Sequence, residues 1–321
     1  MASLPHDFHD VAGLIQKGEY VRNSDRTAFI DIDLALTSAE IKSAIEAYQN
    51  SVGLSEKVST PISTASRVNM NLEYDEIDYS RTRLIQRQKK HADFVFDTSD
   101  AITRVRFPAT DKARNVLEEI KNFISAARRA DIPIDALTVS DLTSEADRTA
   151  FFMNILSNMP GYRVRTITDV RVAKWNEDPS ELGFDDDNDD QETEAARASM
   201  LSVVNSVSMR GQNLTLTEEY KNLLTNGFFL TSITWRADQF ADPRDLVQFE
   251  ISFEDGIQGT NFRYAVRYSP RREGGDHGKT MLTVPELRKI GLLKLIEETA
   301  RGELKKIRDN KAKSATQPKR V

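Results

Sequence analysis

The sequence predicts an α+β fold: two mixed helix-and-sheet domains joined by an acidic disordered linker, with a long C-terminal helix and a basic tail. Three observations carry this. Segments of period-two alternation interleave with segments of 3.6-residue period. Ten acids and no bases fall between residues 176 and 194. A long amphipathic stretch follows residue 284. At roughly 100–200 residues per domain, 321 residues divide naturally in two. The expected division is a first domain over 1–175, the linker over 176–197, a second domain over 198–309 and a disordered tail over 310–321.

In the first domain, residues 28–36 alternate, with Ile30, Ile32, Leu34 and Leu36 on one face and Phe29, Asp31, Asp33 and Ala35 on the other. Thr37 or Ser38 can cap a helix that ends before Gly53. Residues 59–66 read as a loop. Alternation of Val68, Met70, Leu72 and Tyr74 marks a strand, and 94–96 and 102–107 a pair of strands around a turn. Val116, Leu117, Ile120, Phe123, Ile124 and Ala127 define a helix over 111–130. Residues 134–139 suggest a strand, 144–158 a helix and 162–175 a further strand.

The linker is too acidic and too poor in apolar residues to offset its ordering entropy. Beyond it, 201–208 reads as a strand, and a helix from Thr217 stops at Gly227. Residues 228–235, 246–253 and 261–269 read as an antiparallel sheet. Leu287, Ile290, Leu293, Ile296, Ala300, Leu304 and Ile307 form the stripe of the final helix, which should fray beyond Asp309.

The net charge of −6 hides a segregated distribution, since residues 301–321 carry eight bases against two acids. The bodies are nearly neutral, so an acidic total does not argue against a polyanionic partner. With no cysteine, disulfides and thiolate metal sites are excluded. No apolar run is long enough to span a bilayer and the N-terminus lacks the pattern of a secretory signal, so a cytoplasmic location and no membrane partner are expected.

Two constellations bear on chemistry. Asp31 and Asp33 would share a strand face roughly 7 Å apart, a spacing that suits Mg²⁺ and phosphoryl transfer. The stretch Asp31-Ile32-Asp33-Leu34 resembles the acidic strand of nucleotidyltransferases, which implies a Mg²⁺-dependent nuclease or nucleotidyltransferase. The small-residue turn of that family is not matched, because Gly18 is followed by Glu19. The plainer alternative puts both acids on the wet face of an edge strand. The glycine-rich stretch 274–280 lacks phosphate-loop spacing, having Glu273 where the first glycine belongs. His6 and His9 lie in an ordinary polar terminus.

Basic residues form the second constellation. Arg81, Arg83, Arg87, Lys89 and Lys90 cluster without an acid among them. Arg104 and Arg106 share one strand face, and Arg163 and Arg165 another, followed by Arg171 and Lys174. Arg263 and Arg267 share a face, with Arg271 and Arg272 beyond, while Phe262, Tyr264, Val266 and Tyr268 occupy the opposite face. Guanidinium rows beside exposed rings suit phosphates and unpaired bases. Residues 262–268 resemble the aromatic strand of RNA-recognition folds, without its basic-Gly start. The alternative packs the rings on the final helix and pairs the arginines with Glu250 and Glu254.

With Lys305 and Lys306 of the basic end added, the leading expectation is a non-enzymatic nucleic-acid-binding or accessory subunit. DNA or RNA, other protein subunits or a second copy would be its partners, and it would need no cofactor. The alternatives are the Mg²⁺-dependent enzyme and an interaction scaffold or oligomeric component.

Overall fold

The computed structural model describes residues 26–53, 56–77, 87–99, 101–175, 191–210 and 218–316. The strands are β1 (Thr27–Ile32), β2 (Glu56–Ser63), β3 (Arg67–Ile77), β4 (Arg87–Thr98), β5 (Thr103–Pro108), β6 (Ile134–Ala136), β7 (Tyr162–Lys174), β8 (Phe228–Gln239), β9 (Leu246–Asp255), β10 (Thr260–Ser269) and β11 (Leu282–Thr283). The helices are α1 (Ser38–Val52), α2 (Asp111–Arg128), α3 (Glu145–Ser157), α4 (Gln191–Arg210), α5 (Glu218–Thr225) and α6 (Glu286–Thr316). The fold is α+β. No helix among the described residues is long and apolar enough to cross a membrane.

The strands form one sheet in the order β2-β3-β4-β5-β1-β10-β9-β8-β7, with β6 added to β1 and β11 to β10. Two cores cover it, on opposite faces. Ala28, Ile30 and Ile32 of β1 join the inward residues of β2–β5 beneath α1 and α2. Phe29 turns the other way and packs with Phe262 and Tyr264, in the core that β7–β10 share with α3, α4, α5 and α6. The register pair Thr27↔Tyr264 puts Phe29 and Asp31 on the same face as Tyr264, because alternate residues of a strand share a face. The cores part between Ile132 and Leu137. β7 pairs with β8 from Tyr162↔Gln239 to Lys174↔Phe228.

Local signals explain most elements. Thr37 caps α1 in a reciprocal box, accepting from the Glu40 amide while the Glu40 carboxylate accepts from the Thr37 amide. Arg128 Nε also donates to Glu40, at 2.7 Å, and ties α1 to α2. That bond, ahead of the opposing effect of burial, lowers the Glu40 pKa to about 2. A carboxylate depressed from 4.5 contributes stability fully above pH 4.5 and loses it as pH falls toward 2. Glu40→Gln should therefore flatten that limb of the acid-denaturation profile, and Thr37→Ala should cost about 1 kcal/mol in urea unfolding at neutral pH. An unchanged acid limb in Glu40→Gln would refute the linkage.

Four expectations are corrected. Residues 59–66 are not a loop: β2 runs through Pro61, which is tolerated because β2 is an edge strand with an irregular register between Ser59 and Ile62. Residues 201–208 are helical, not a strand, and lie inside α4. Ala196, Met200, Val203 and Val204 are buried at three- and four-residue steps, a period that an eight-residue window hides. Residues 191–197, assigned to the linker, also belong to α4, and α6 continues past Asp309 to Thr316.

Candidate functional site

The β5 arginines are consumed within the molecule. Arg104 grips Asp31 with two bonds, Nε to Oδ1 at 2.6 Å and Nη2 to Oδ2 at 2.8 Å. Arg106 grips Glu297 of α6 the same way, at 2.6 and 2.7 Å, and also donates to Asp97. Arg104 Nη1 reaches Glu297 at 3.2 Å, and the buried Tyr264 hydroxyl donates to Glu297. Burial opposes the charge on both arginines, but the carboxylates outweigh it and raise both pKa values. Asp97 follows the same logic: burial would raise its pKa, yet Arg67 and Arg106 hold it below the usual range.

This network decides the fate of the acidic pair. Asp31 is buried, not on a wet edge, because β1 lies between β5 and β10. It carries Arg104 and also Arg301, whose Nε stands 2.7 Å from Oδ2. Asp33 lies beyond the end of β1 and is exposed. The two carboxylates therefore do not face a common cleft. Among the described residues no group of three or more His, Asp or Glu could hold a metal ion. Asp31→Asn should cost about 3 kcal/mol, because it removes the charge of a buried carboxylate that both Arg104 and Arg301 hold. Asp33→Asn should stay within about 0.5 kcal/mol, as surface changes do. Equal urea midpoints for the two variants would show that the network is not structural.

The second arginine row has different surroundings. The ring-bearing side of β10 is turned into the core, so Phe262 and Tyr264 cannot stack on a base. Arg263 and Arg267 lie on the opposite side, and the register extends that side into rows across four strands. One row is Arg263↔Ser252, Ser252↔Ser232 and Ser232↔Arg171. Two steps along is the row Arg267↔Gln248, Gln248↔Arg236 and Arg236↔Thr166. Between them lies Ala265↔Glu250↔Thr234↔Asp169. The described helices that pack on β7–β10 contribute their apolar residues to the other face.

The carboxylates on this polar side are already engaged. Glu250 accepts from Arg26 Nε at 2.6 Å, Glu254 accepts from Arg114 of α2, and Asp169 accepts from Arg197 Nη2 of α4 at 2.6 Å. Arg263 Nη1 stands 3.8 Å from Glu254, and its Nε donates to Ser252 Oγ at 3.2 Å. Burial, then the positive charge of Arg26, lowers the Arg263 pKa to about 10, with Glu254 and Glu250 opposing the shift and Arg171 adding to it.

The remaining basic residues scatter. Arg81 and Arg83 lie outside the described residues. Arg87 opens β4 opposite Ile77, Lys89 is exposed, and Lys90 lies 3.3 Å from Glu76. In the sheet, β4 is separated from β10 by β5 and β1. Lys305 and Lys306 are exposed on α6, with Lys306 at 2.7 Å from Glu303. Arg271 and Arg272 are exposed in the loop leaving β10, next to the Arg267 row. The glycine-rich stretch belongs to this loop, where a Cβ on Gly275 would touch Arg271 and one on Gly278 would touch Arg272.

Arg26, Arg114, Arg236, Ser232 and Ser252 were not legible as site residues. Only Ser232-Thr234-Arg236 and Gln248-Glu250-Ser252, polar at alternate positions of two apolar strands, could have pointed to them. No protein-family model matches the chain, and no curated protein matches it.

Proposed function

We propose that the chain is a non-enzymatic binding protein that meets nucleic acid through its phosphates, using the polar side of β7–β10 and the adjoining Arg271–Arg272 loop. One observation carries this reading. The register sets four arginines (Arg171, Arg236, Arg263 and Arg267) on that side, and its carboxylates Glu250, Glu254 and Asp169 accept from Arg26, Arg114 and Arg197 outside the four strands, with Arg263 also 3.8 Å from Glu254. Guanidinium groups suit phosphate because their fork matches two oxygens at once. With the rings turned inward, recognition rests on the phosphate backbone and is indifferent to base sequence.

The test is fluorescence anisotropy with short single- and double-stranded oligonucleotides. Affinity should fall steeply between about 50 and 200 mM salt, as counterion release requires. Arg271→Glu with Arg272→Glu should lower the log–log salt slope by roughly one per lost phosphate contact. Absence of binding at about 50 mM salt refutes the reading.

A second reading, partner or self-association, is favoured by Phe240, Leu282 and Leu287, which are 60%, 46% and 92% exposed. Arg288 reaches Gln239 at 3.3 Å and lies 5.2 Å from the centroid of the Tyr268 ring, which draws the segments bearing these residues together. A single monomeric species in sedimentation over a wide concentration range would end it.

A further inference from the structure

We infer that the end of α6 from Arg308 onward is a second contact for a phosphate polyanion, clasped to the body by Asp141 and Asp147 until the polyanion displaces them. The inference rests on reading nucleic acid as the partner, and it adds a surface outside the sheet together with the step that opens it.

Packing lets go of α6 at Ile307. Among the described side chains, Leu304 and Ile307 are the last that are buried, and every one from Arg308 to Lys313 is exposed. The helix nevertheless runs on to Thr316. So short a length of helix without a buried face has little stability of its own. Polar contacts hold this end instead. Arg308 forks onto Asp141, Nε to Oδ2 and Nη2 to Oδ1, both at 2.8 Å, and Nη2 also donates to Thr138 O at 3.1 Å. Lys311 Nζ stands 3.4 Å from Asp147 Oδ2 and 3.5 Å from Asp141 O. Asn310 and Ala312 have interactions of their own. Asp135, the other carboxylate that attracts Arg308, is taken by Arg301.

Both ion pairs are open to water. The Arg308 and Asp141 side chains are 45% and 47% exposed, and those of Lys311 and Asp147 are 46% and 34% exposed. Pairs this wet contribute little and are screened by salt. The carboxylates also lose little when the helix end leaves. Asp147 lies in the first turn of α3, where the helix dipole favours a negative charge, and Asp141 still feels the buried Arg148. The leaving end carries Arg308, Lys311 and Lys313 against Asp309. It adjoins the exposed Lys305 and Lys306, the latter paired with Glu303. A phosphate accepts the Arg308 fork as a carboxylate does. A chain of phosphates can replace both carboxylates at once, and it sheds its own counterions in doing so.

The test uses the full chain. Hydrogen exchange of the amides in 309–316 should quicken at least about fivefold between about 50 and about 500 mM sodium chloride, while those in 292–307 stay protected. Asp141→Asn combined with Asp147→Asn should quicken the same amides at about 50 mM salt. Exchange across β8–β10 in the same experiment verifies the fold of that variant. Unchanged exchange at 309–316, in salt and in the double variant alike, overturns the clasp.

An oligonucleotide arm separates the two readings. At about 50 mM salt the double variant should bind a short single-stranded oligonucleotide at least about threefold more tightly than the wild type. Asp33→Asn combined with Glu46→Gln removes the same charge from exposed positions elsewhere, and should change affinity by less than about twofold. Equal affinity of the two double variants overturns the contact at α6 and leaves nucleic-acid binding standing. Absence of oligonucleotide binding in all three proteins removes nucleic acid as the partner, and the contact with it.

Discussion

Replacing Glu297 by alanine should destabilise the protein by about 3–5 kcal/mol, the cost of removing one partner from a buried ion network. Glu297 is fully buried on α6 and accepts from Arg104, Arg106 and Tyr264. It is the point where α6, β5 and β10 meet, so its loss strands a doubly bonded guanidinium and a tyrosine hydroxyl together. The burial that keeps the Tyr264 pKa well above its ordinary value also denies that hydroxyl a replacement water. Glu297→Gln should cost less, because an amide oxygen still accepts. Combining Glu297→Ala with Arg106→Met should cost less than the sum of the single changes, as residues of one network couple. Urea unfolding at neutral pH measures all four proteins, and a loss below about 1 kcal/mol in Glu297→Ala would show that the network adds little.

Arg148→Ala should cost about 3–5 kcal/mol for a different reason, the orphaning of backbone carbonyls. Arg148 is buried on α3. Its Nε donates to Leu142 O at 2.8 Å, and its Nη atoms donate to Gly256 O at 3.0 Å, Ile257 O at 2.5 Å and Gln258 O at 3.3 Å. The guanidinium lies 4.4 Å from the centroid of the Trp175 ring and 5.2 Å from that of Phe229, which replaces part of its lost hydration. Burial still lowers its pKa to about 10. Arg148→Lys should recover little, since an ammonium cannot fork to four carbonyls. Gly259, which closes the same turn with φ +68°, has no room for a side chain: a Cβ would come within 2.5 Å of Val139 and 3.0 Å of Arg148. Gly259→Ala should therefore mimic part of the Arg148 defect, by more than about 1 kcal/mol. Wild-type urea midpoints in Arg148→Ala would refute this account.

The elements were largely legible because their signals are local. Thr37 and Ser144 cap α1 and α3, Gly53 and Gly227 follow helix ends, and alternation marks β3, β5, β8, β9 and β10. Burial of Asp31 was not legible. Alternation assigns it a face opposite Ile30 and Ile32, but whether that face is wet depends on α6, far along the chain. Arg104 and Arg106 likewise look like a cationic row until Glu297 is placed on them. The Arg263 row shows the reverse. Glu250 and Glu254 look like its partners by sequence distance, yet Arg26 and Arg114 reach them more closely. Sign and spacing can be read from neighbours; neutralisation is a property of contacts between residues remote in sequence.

The single ladder pair Thr27↔Tyr264 carries a consequence for biosynthesis. β1 is made before the other described strands, yet part of its outer edge is completed only by β10, far later in the sequence. Until then the nascent protein displays an open strand edge and an uncovered Phe29, features that attract holding chaperones and unwanted pairing. A polypeptide released before β10 is made should accumulate in aggregates, while one lacking only the residues after α6 should not.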